Sequence, residues 1–136
     1  MIEKHAKATI LAYKKINNSV LLVNDNAFDE SCKKTLDKTP CYYMGIKNTP
    51  LLKATAEVLK AKNYILHTLD KKALGGRAID IDLINPLTGR IMTGSSSGTA
   101  INVFLGINDI GIGSDGGGSV LAPALSLNLY GFISPI

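Results

Sequence analysis

The sequence has no tryptophan, only two cysteines and two histidines in its 136 residues, and no lysine or arginine after Arg90. Each shortage excludes a class of function. Aromatics make up 6% of the chain, and none alternates with basic residues as a base-stacking platform requires, so the net charge of +4 does not point to nucleic acid as a partner. The basic residues are instead scattered over prospective helix surfaces and loops, the pattern of a solvated face. Cys32 and Cys41 stand outside any CxxC spacing. Neither a metal site nor a disulfide framework is expected from them, and two free thiols suit a reducing compartment. The N-terminal MIEKHAKATILAYKK lacks the apolar core and cleavage site of a secretory leader. The most apolar later stretch, INVFLGINDIGIG, is broken by Asn102, Asn108, Asp109 and glycines. A cytoplasmic protein with no membrane span is therefore the expectation.

What is present suits a single domain over residues 1–136, with 46% hydrophobic and 19% charged residues. Residues 3 to 16 predict a helix with Ala6, Thr9, Ile10, Tyr13 and Ile16 on its inner face, ended by Asn17 and Asn18. SVLLV reads as a strand, FDESCKKTLDK as a polar helix stopped before Pro40, and CYYMGIK as a buried strand. Thr49-Pro50 opens a further helix with Leu51, Leu52, Thr55, Val58 and Leu59 inward, closed by Asn63 in a left-handed conformation before the strand YILHTL. AIDIDLI alternates as a half-exposed strand, with Asp80 and Asp82 turned to water. After Arg90 the only charged side chains are Asp109 and Asp115. There SSGTAINVFLG reads as a buried helix, IGIG as a strand, and SVLAPALSLNL as a second buried helix. Alternating strands and helices predict an α/β fold of three layers, an open, mostly parallel or mixed sheet with helices on both faces.

The glycines and serines of this last part match several motifs by letter, and most fail on mechanics. Gly111, Gly113 and Gly116 satisfy GxGxxG after a strand, but no acidic residue follows Asp115 to hold a ribose, so no dinucleotide is expected. Gly94-Ser95-Ser96-Ser97-Gly98 matches the GxSxG elbow, whose histidine should come later, whereas His5 and His67 both come earlier. His67 reads as a satisfied core histidine. Ser31 and Lys34 form SxxK without the partner motifs of that chemistry, on what reads as an exposed helix. The surviving possibility is a serine nucleophile with a lysine base, since burial lowers a lysine pKa from about 10.4 toward neutrality. Successive backbone N–H groups of Gly116, Gly117 and Gly118, before Ser119, can converge on an oxyanion.

At this point NPLTGRIMTGSSSGTAINVFLGINDIGIGSDGGGSVLAPA resembles the amidase signature of Ser-Ser-Lys amide hydrolases, in which a serine-rich turn precedes a GSDxGGS turn. Backward from it, YYMGIKNTPLLKATAEVLKAKNYILHTL is similar to the family's lysine-bearing strand and the helix and strand after it. The resemblance implies a strongly shortened amidase-like core in which Lys47 is the base, Ser95 the bridging serine and Ser119 the nucleophile, with Ser96 beside the substrate. It also implies a cis peptide bond between Gly94 and Ser95, a small amide or ester as substrate, and no cofactor. The family's usual arginine two positions after the nucleophile is Leu121 here, and Thr93 and Ser97 stand where it has glycines. Members of the family continue well past the nucleophile's helix, so a homo-oligomer, or a partner completing the sheet, is expected. The alternative is a non-catalytic amidase-like binding or assembly protein.

Overall fold

The structure, a computed structural model, describes residues 2–74 and 78–134. Chain breaks fall where the local chemistry dictates. Helix α1 (Ile2–Lys14) is followed by Asn17 at φ 67°, and α3 (Lys53–Lys60) by Asn63 at the same angle, both in the left-handed region that asparagine tolerates better than most residues. Pro50 opens a short 3-10 turn, Pro50–Leu52, that leads into α3; the Thr49 hydroxyl makes no capping bond there. Helix α2 (Ala27–Leu36) carries acidic side chains in its first turn and lysines in its last, matching the helix dipole.

Strands β1 (Val20–Val23), β2 (Tyr42–Lys47), β3 (Tyr64–Asp70) and β6 (Ile110–Ile112) form one mixed sheet in the order β1-β3-β2-β6. β2 pairs in parallel with both β3 and β6, and β1 lies antiparallel to β3. β4 (Ile79–Ile84) and β5 (Ile91–Thr93) make a separate antiparallel pair. Met44 and Ile46 pack with Ile112 against Leu52 and Ala56 at α3 on one face. On the other face Tyr43, Cys41 and Ile65 meet Ala8 of α1 and Ala27 of α2. Helix α4 (Ser97–Phe104) covers the same face farther along, with Thr99 over Gly111. Covered on both sides, β2 is buried from Tyr43 to Lys47. The architecture is α/β with helices on both faces of a mixed sheet.

Several local expectations change. The buried face of α1 is His5, Ala8 and Ala12, while Ile10 and Tyr13 are exposed. Small alanines let the helix lie close to the sheet, and the His5 ring stacks on Tyr43, itself stacked on His67, with centroids 4.3 and 4.2 Å apart. Leu51 and Val58 also face solvent, and Ala56 takes the inner position. Asp80 is buried, not turned to water, because Lys71 pairs with it at 2.9 Å; only Asp82 of that strand's two carboxylates is exposed. Ser31 is buried, its hydroxyl donating to the Phe28 carbonyl, so the helix carrying the SxxK letters presents that serine to the core. The last helix, α5 (Leu121–Ser126), is only six residues long and leaves Leu125 exposed. Its proline at position 123 forgoes a backbone donor, which suits so short a helix.

A register shift decides which face β3 shows. Met44 pairs with Leu66 but Gly45 with Thr68, so His67 is an extra residue and both His67 and Thr68 turn inward. Thr68 and Asp70 thereby join the face that carries Gly45 and Lys47. That face has no room for a side chain at position 45, where a Cβ would overlap the Asn108 amide and lie 2.5 Å from Asp70 Oδ2.

Candidate active site

Lys47 ends β2 at the C-terminal edge of the sheet, 2% exposed. Its Nζ lies 2.5 Å from Ser95 Oγ and 2.8 Å from Ser114 Oγ. Burial lowers its pKa from the ordinary lysine value, the charge of Lys72 lowers it further, and Asp115 opposes both. Two hydroxyls are its hydrogen-bond partners, and no carboxylate forms an ion pair with it among the described residues. An amine in that setting gives up its proton more readily than a surface lysine.

Ser95 sits in the turn between β5 and α4. The Ser97 hydroxyl donates to the Gly94 carbonyl at 2.6 Å, and the Ser95 carbonyl accepts the Ala73 N–H, so the turn is tied at both ends. The Gly94–Ser95 peptide bond is trans, as are all those among the described residues, in place of the expected cis bond. Gly94 makes the bend instead: its φ is 105°, and a Cβ there would come within 2.6 Å of Pro123. Ser96 is buried behind the turn, its N–H donating to the Ser119 carbonyl at 3.2 Å. This backbone contact holds the serine-rich turn against the glycine-rich one.

The structure thus brings Lys47 and Ser95 into hydrogen-bond contact and sets Ser119 beside Gly94 and Ser96. The Ser119 hydroxyl itself makes no hydrogen bond among the described residues. Sequence reasoning missed Ser114, the second hydroxyl on the lysine; the signal available was its place just past the end of β6, at the same edge as Lys47. Within the glycine-rich turn, Asp115 accepts the N–H groups of Gly118, Val120 and Leu121 at 2.6, 2.8 and 3.2 Å. These bonds, Val120's and Gly118's foremost, hold its carboxyl below the usual aspartate range. The missing arginine at position 121 is thus replaced by amides as the support of Asp115. The Gly118 N–H, expected in an oxyanion hole, points at this carboxylate instead. Gly116 and Gly117 are exposed, with open space beside them.

A cavity of about 320 Å³ opens next to Ser96, walled by Val103 and Thr99 of α4, Gly113, Val120 and Ala124. It adjoins the turns that carry Ser95 and Ser119 without reaching Lys47.

Residues 84–134 match the sequence profile of the family described as Amidase. Over 43 residues the chain is 49% identical to a subunit of the glutamyl-tRNA(Gln) amidotransferase of Deinococcus radiodurans, a stretch covering 32% of this chain and 9% of that protein. A crystal structure described as that of an amidase is similar over 90% of this chain and 37% of its own, with a TM-score of 0.67 and 19% identity. The chain therefore spans well under half the length of these proteins. No helix among the described residues is long and apolar enough to cross a membrane.

Proposed function

From the match of residues 84–134 to the Amidase family and the likeness of the fold to that of an amidase, we propose that this chain hydrolyses a small amide or ester through Lys47, Ser95 and Ser119. The observation that carries this reading is the buried amine of Lys47 at 2.5 Å from Ser95 Oγ. In the neutral form Lys47 donates to Ser114 and directs its lone pair at the Ser95 proton. Lys47 takes that proton as Ser95 takes one from Ser119, and Ser119 Oγ bonds to the substrate carbonyl carbon. The carbonyl oxygen gains the electron pair, and the N–H groups not turned on Asp115, those of Gly116 and Ser119, supply donors for it. When the tetrahedral intermediate collapses, the carbon–nitrogen bond breaks and the relay returns its proton to the leaving amine. Water then attacks the acyl-serine by the same route and frees the acid. No cofactor enters these steps. The cavity beside Ser96, mostly walled by apolar groups, accommodates the substrate's apolar part.

A fluorophosphonate tests the reading, because an activated serine displaces fluoride from phosphorus. Peptide mapping is expected to find the adduct on Ser119 and to find none in Lys47→Ala. A folded protein that takes up no label favours the second reading, an amidase-like binding or assembly protein. One observation supports that alternative: the Ser119 hydroxyl is not hydrogen-bonded to Ser95 in the free chain. Self-association belongs to either reading, since β6 has a single neighbour in the sheet and Tyr130 and Phe132 stand exposed beyond α5.

A further inference from the structure

Behind the Lys47–Ser95 pair runs a buried polar chain that no step of the relay uses. Asn102 of α4 is fully buried; its Nδ2 donates to Asp70 Oδ1 at 2.8 Å and to the Ser19 carbonyl at 3.0 Å, and its Oδ1 accepts the Ser19 hydroxyl at 2.6 Å. Thr68 donates to the same Asp70 oxygen at 2.6 Å and accepts from Asn108 at 2.7 Å. The Ser19 carbonyl also takes the Lys71 N–H at 2.9 Å, so the loop before β1 is bound to the end of β3. Asp70 is the register partner of Lys47 on the neighbouring strand.

We infer that Asn102 is a positioning residue: by tying α4 to Ser19 and to the Asp70 carboxyl, it sets where the Ser95 turn stands above Lys47. This rests on the relay reading above. Helices on sheets normally take their place from side chains fitting between side chains, but at Gly111 the sheet offers α4 no side chain of its own, only a hollow that Thr99 and Val103 enter. Apolar contacts of that kind allow a helix small adjustments. Directional hydrogen bonds to groups fixed on two other segments do not. Asn102 lies within the helix that the serine-rich turn opens, so a displacement at Asn102 is transmitted along a rigid rod to the Ser95 hydroxyl. Burying Asn102, Asp70, Thr68 and Ser19 together costs stability that apolar residues of like volume would not, which a purely packing role leaves unexplained.

Two readouts on the whole chain test the inference. Trace acetylation with acetic anhydride across pH, read by mass spectrometry, follows the ionisation of Lys47 against exposed Lys33 whether or not Ser119 reacts. Fluorophosphonate labelling follows the relay. In Asn102→Leu the Lys47 midpoint is expected to rise toward the ordinary lysine value of about 10.4, and labelling to fall roughly tenfold to a hundredfold. Asp70→Asn keeps an acceptor for both Thr68 and Asn102, so it is expected to leave the midpoint and the labelling rate near those of the parent. An Asn102→Leu protein that melts cooperatively but titrates and labels like the parent overturns the inference. Should that variant not fold, Ser19→Ala, which removes only the hydroxyl aligning Asn102, is expected to shift the Lys47 midpoint in the same direction, and an unchanged midpoint overturns it. If no form labels while the midpoint moves, the relay reading fails and the positioning role stands.

Discussion

At the scale of residues, two buried ionisable groups carry opposite consequences. Lys47 gives up its proton more easily than a surface lysine because burial penalises its charge. Labelling of Ser119, measured against pH, is therefore expected to rise as Lys47 loses its proton, with a midpoint below the ordinary lysine value of about 10.4. Asp70, wholly buried, has its pKa raised to about 7, burial outweighing the bonds from Thr68 and Asn102. A carboxyl raised in the folded state binds more protons there than in the unfolded chain, so its contribution to stability falls as pH rises from about 4 toward 7. Asp70→Asn is accordingly expected to melt higher than the parent above pH 7, with the gap closing as pH falls toward 4, in thermal melts across that range. His5 and His67 act with the other sign. Burial lowers both pKa values, so the unfolded chain binds more protons just below 6.5 and acid weakens the fold there.

At the scale of elements, the close approach of the Asn108 loop and of the Thr68 and Asp70 side chains of β3 to β2 depends on Gly45. In Gly45→Ala the new methyl meets Asp70 Oδ2, whose carboxyl is held through its other oxygen by Thr68 and Asn102, and the Asn108 amide, which donates to Thr68, so it cannot be accommodated by one flexible tip. A loss of about 1–3 kcal/mol is expected, read as a lower midpoint in urea unfolding. The two faces of α1 are expected to respond unequally. Ile10→Lys on the exposed face should stay within about 0.5 kcal/mol of the parent, while Ala8→Leu against Tyr43 and Ile65 should cost about 1–3 kcal/mol in the same measurement. Periodicity located this helix correctly and chose its wrong face. Alternation along a helix marks apolar stripes but does not say which of two the sheet will take, and small alanines beside a stacking histidine won over Ile10 and Tyr13.

At the scale of the molecule, the four-stranded sheet has β6 as an edge, and Leu125, Tyr130 and Phe132 stand exposed on the α5 side of the chain. Apolar exposure of that kind favours association between copies. Sedimentation velocity is expected to show mass rising with concentration in the parent, and a lower association constant in Tyr130→Ser/Phe132→Ser with little change in melting temperature. A chain that sediments as a monomer at every concentration removes that expectation.

Most of the element order and the layered α/β class were legible in the linear chain, because turn residues and apolar periodicity act over a few neighbours; the short strand β5 was not, and the link of Lys47 to the serine turns was carried by the resemblance to amidases and not by any local pattern. Other features were not legible either. The extra residue at His67 turned Thr68 and Asp70 inward, a consequence of strand register that no local pattern encodes. Ser114 became a partner of Lys47 only because β2 and β6 run in parallel and end at one edge. The Gly94 bend with a trans bond, the Gly118 amide drawn to Asp115 and the ion pair that buries Asp80 all depend on segments distant in sequence meeting in space. Local chemistry determined which pieces form, and packing between remote pieces decided which polar groups face each other.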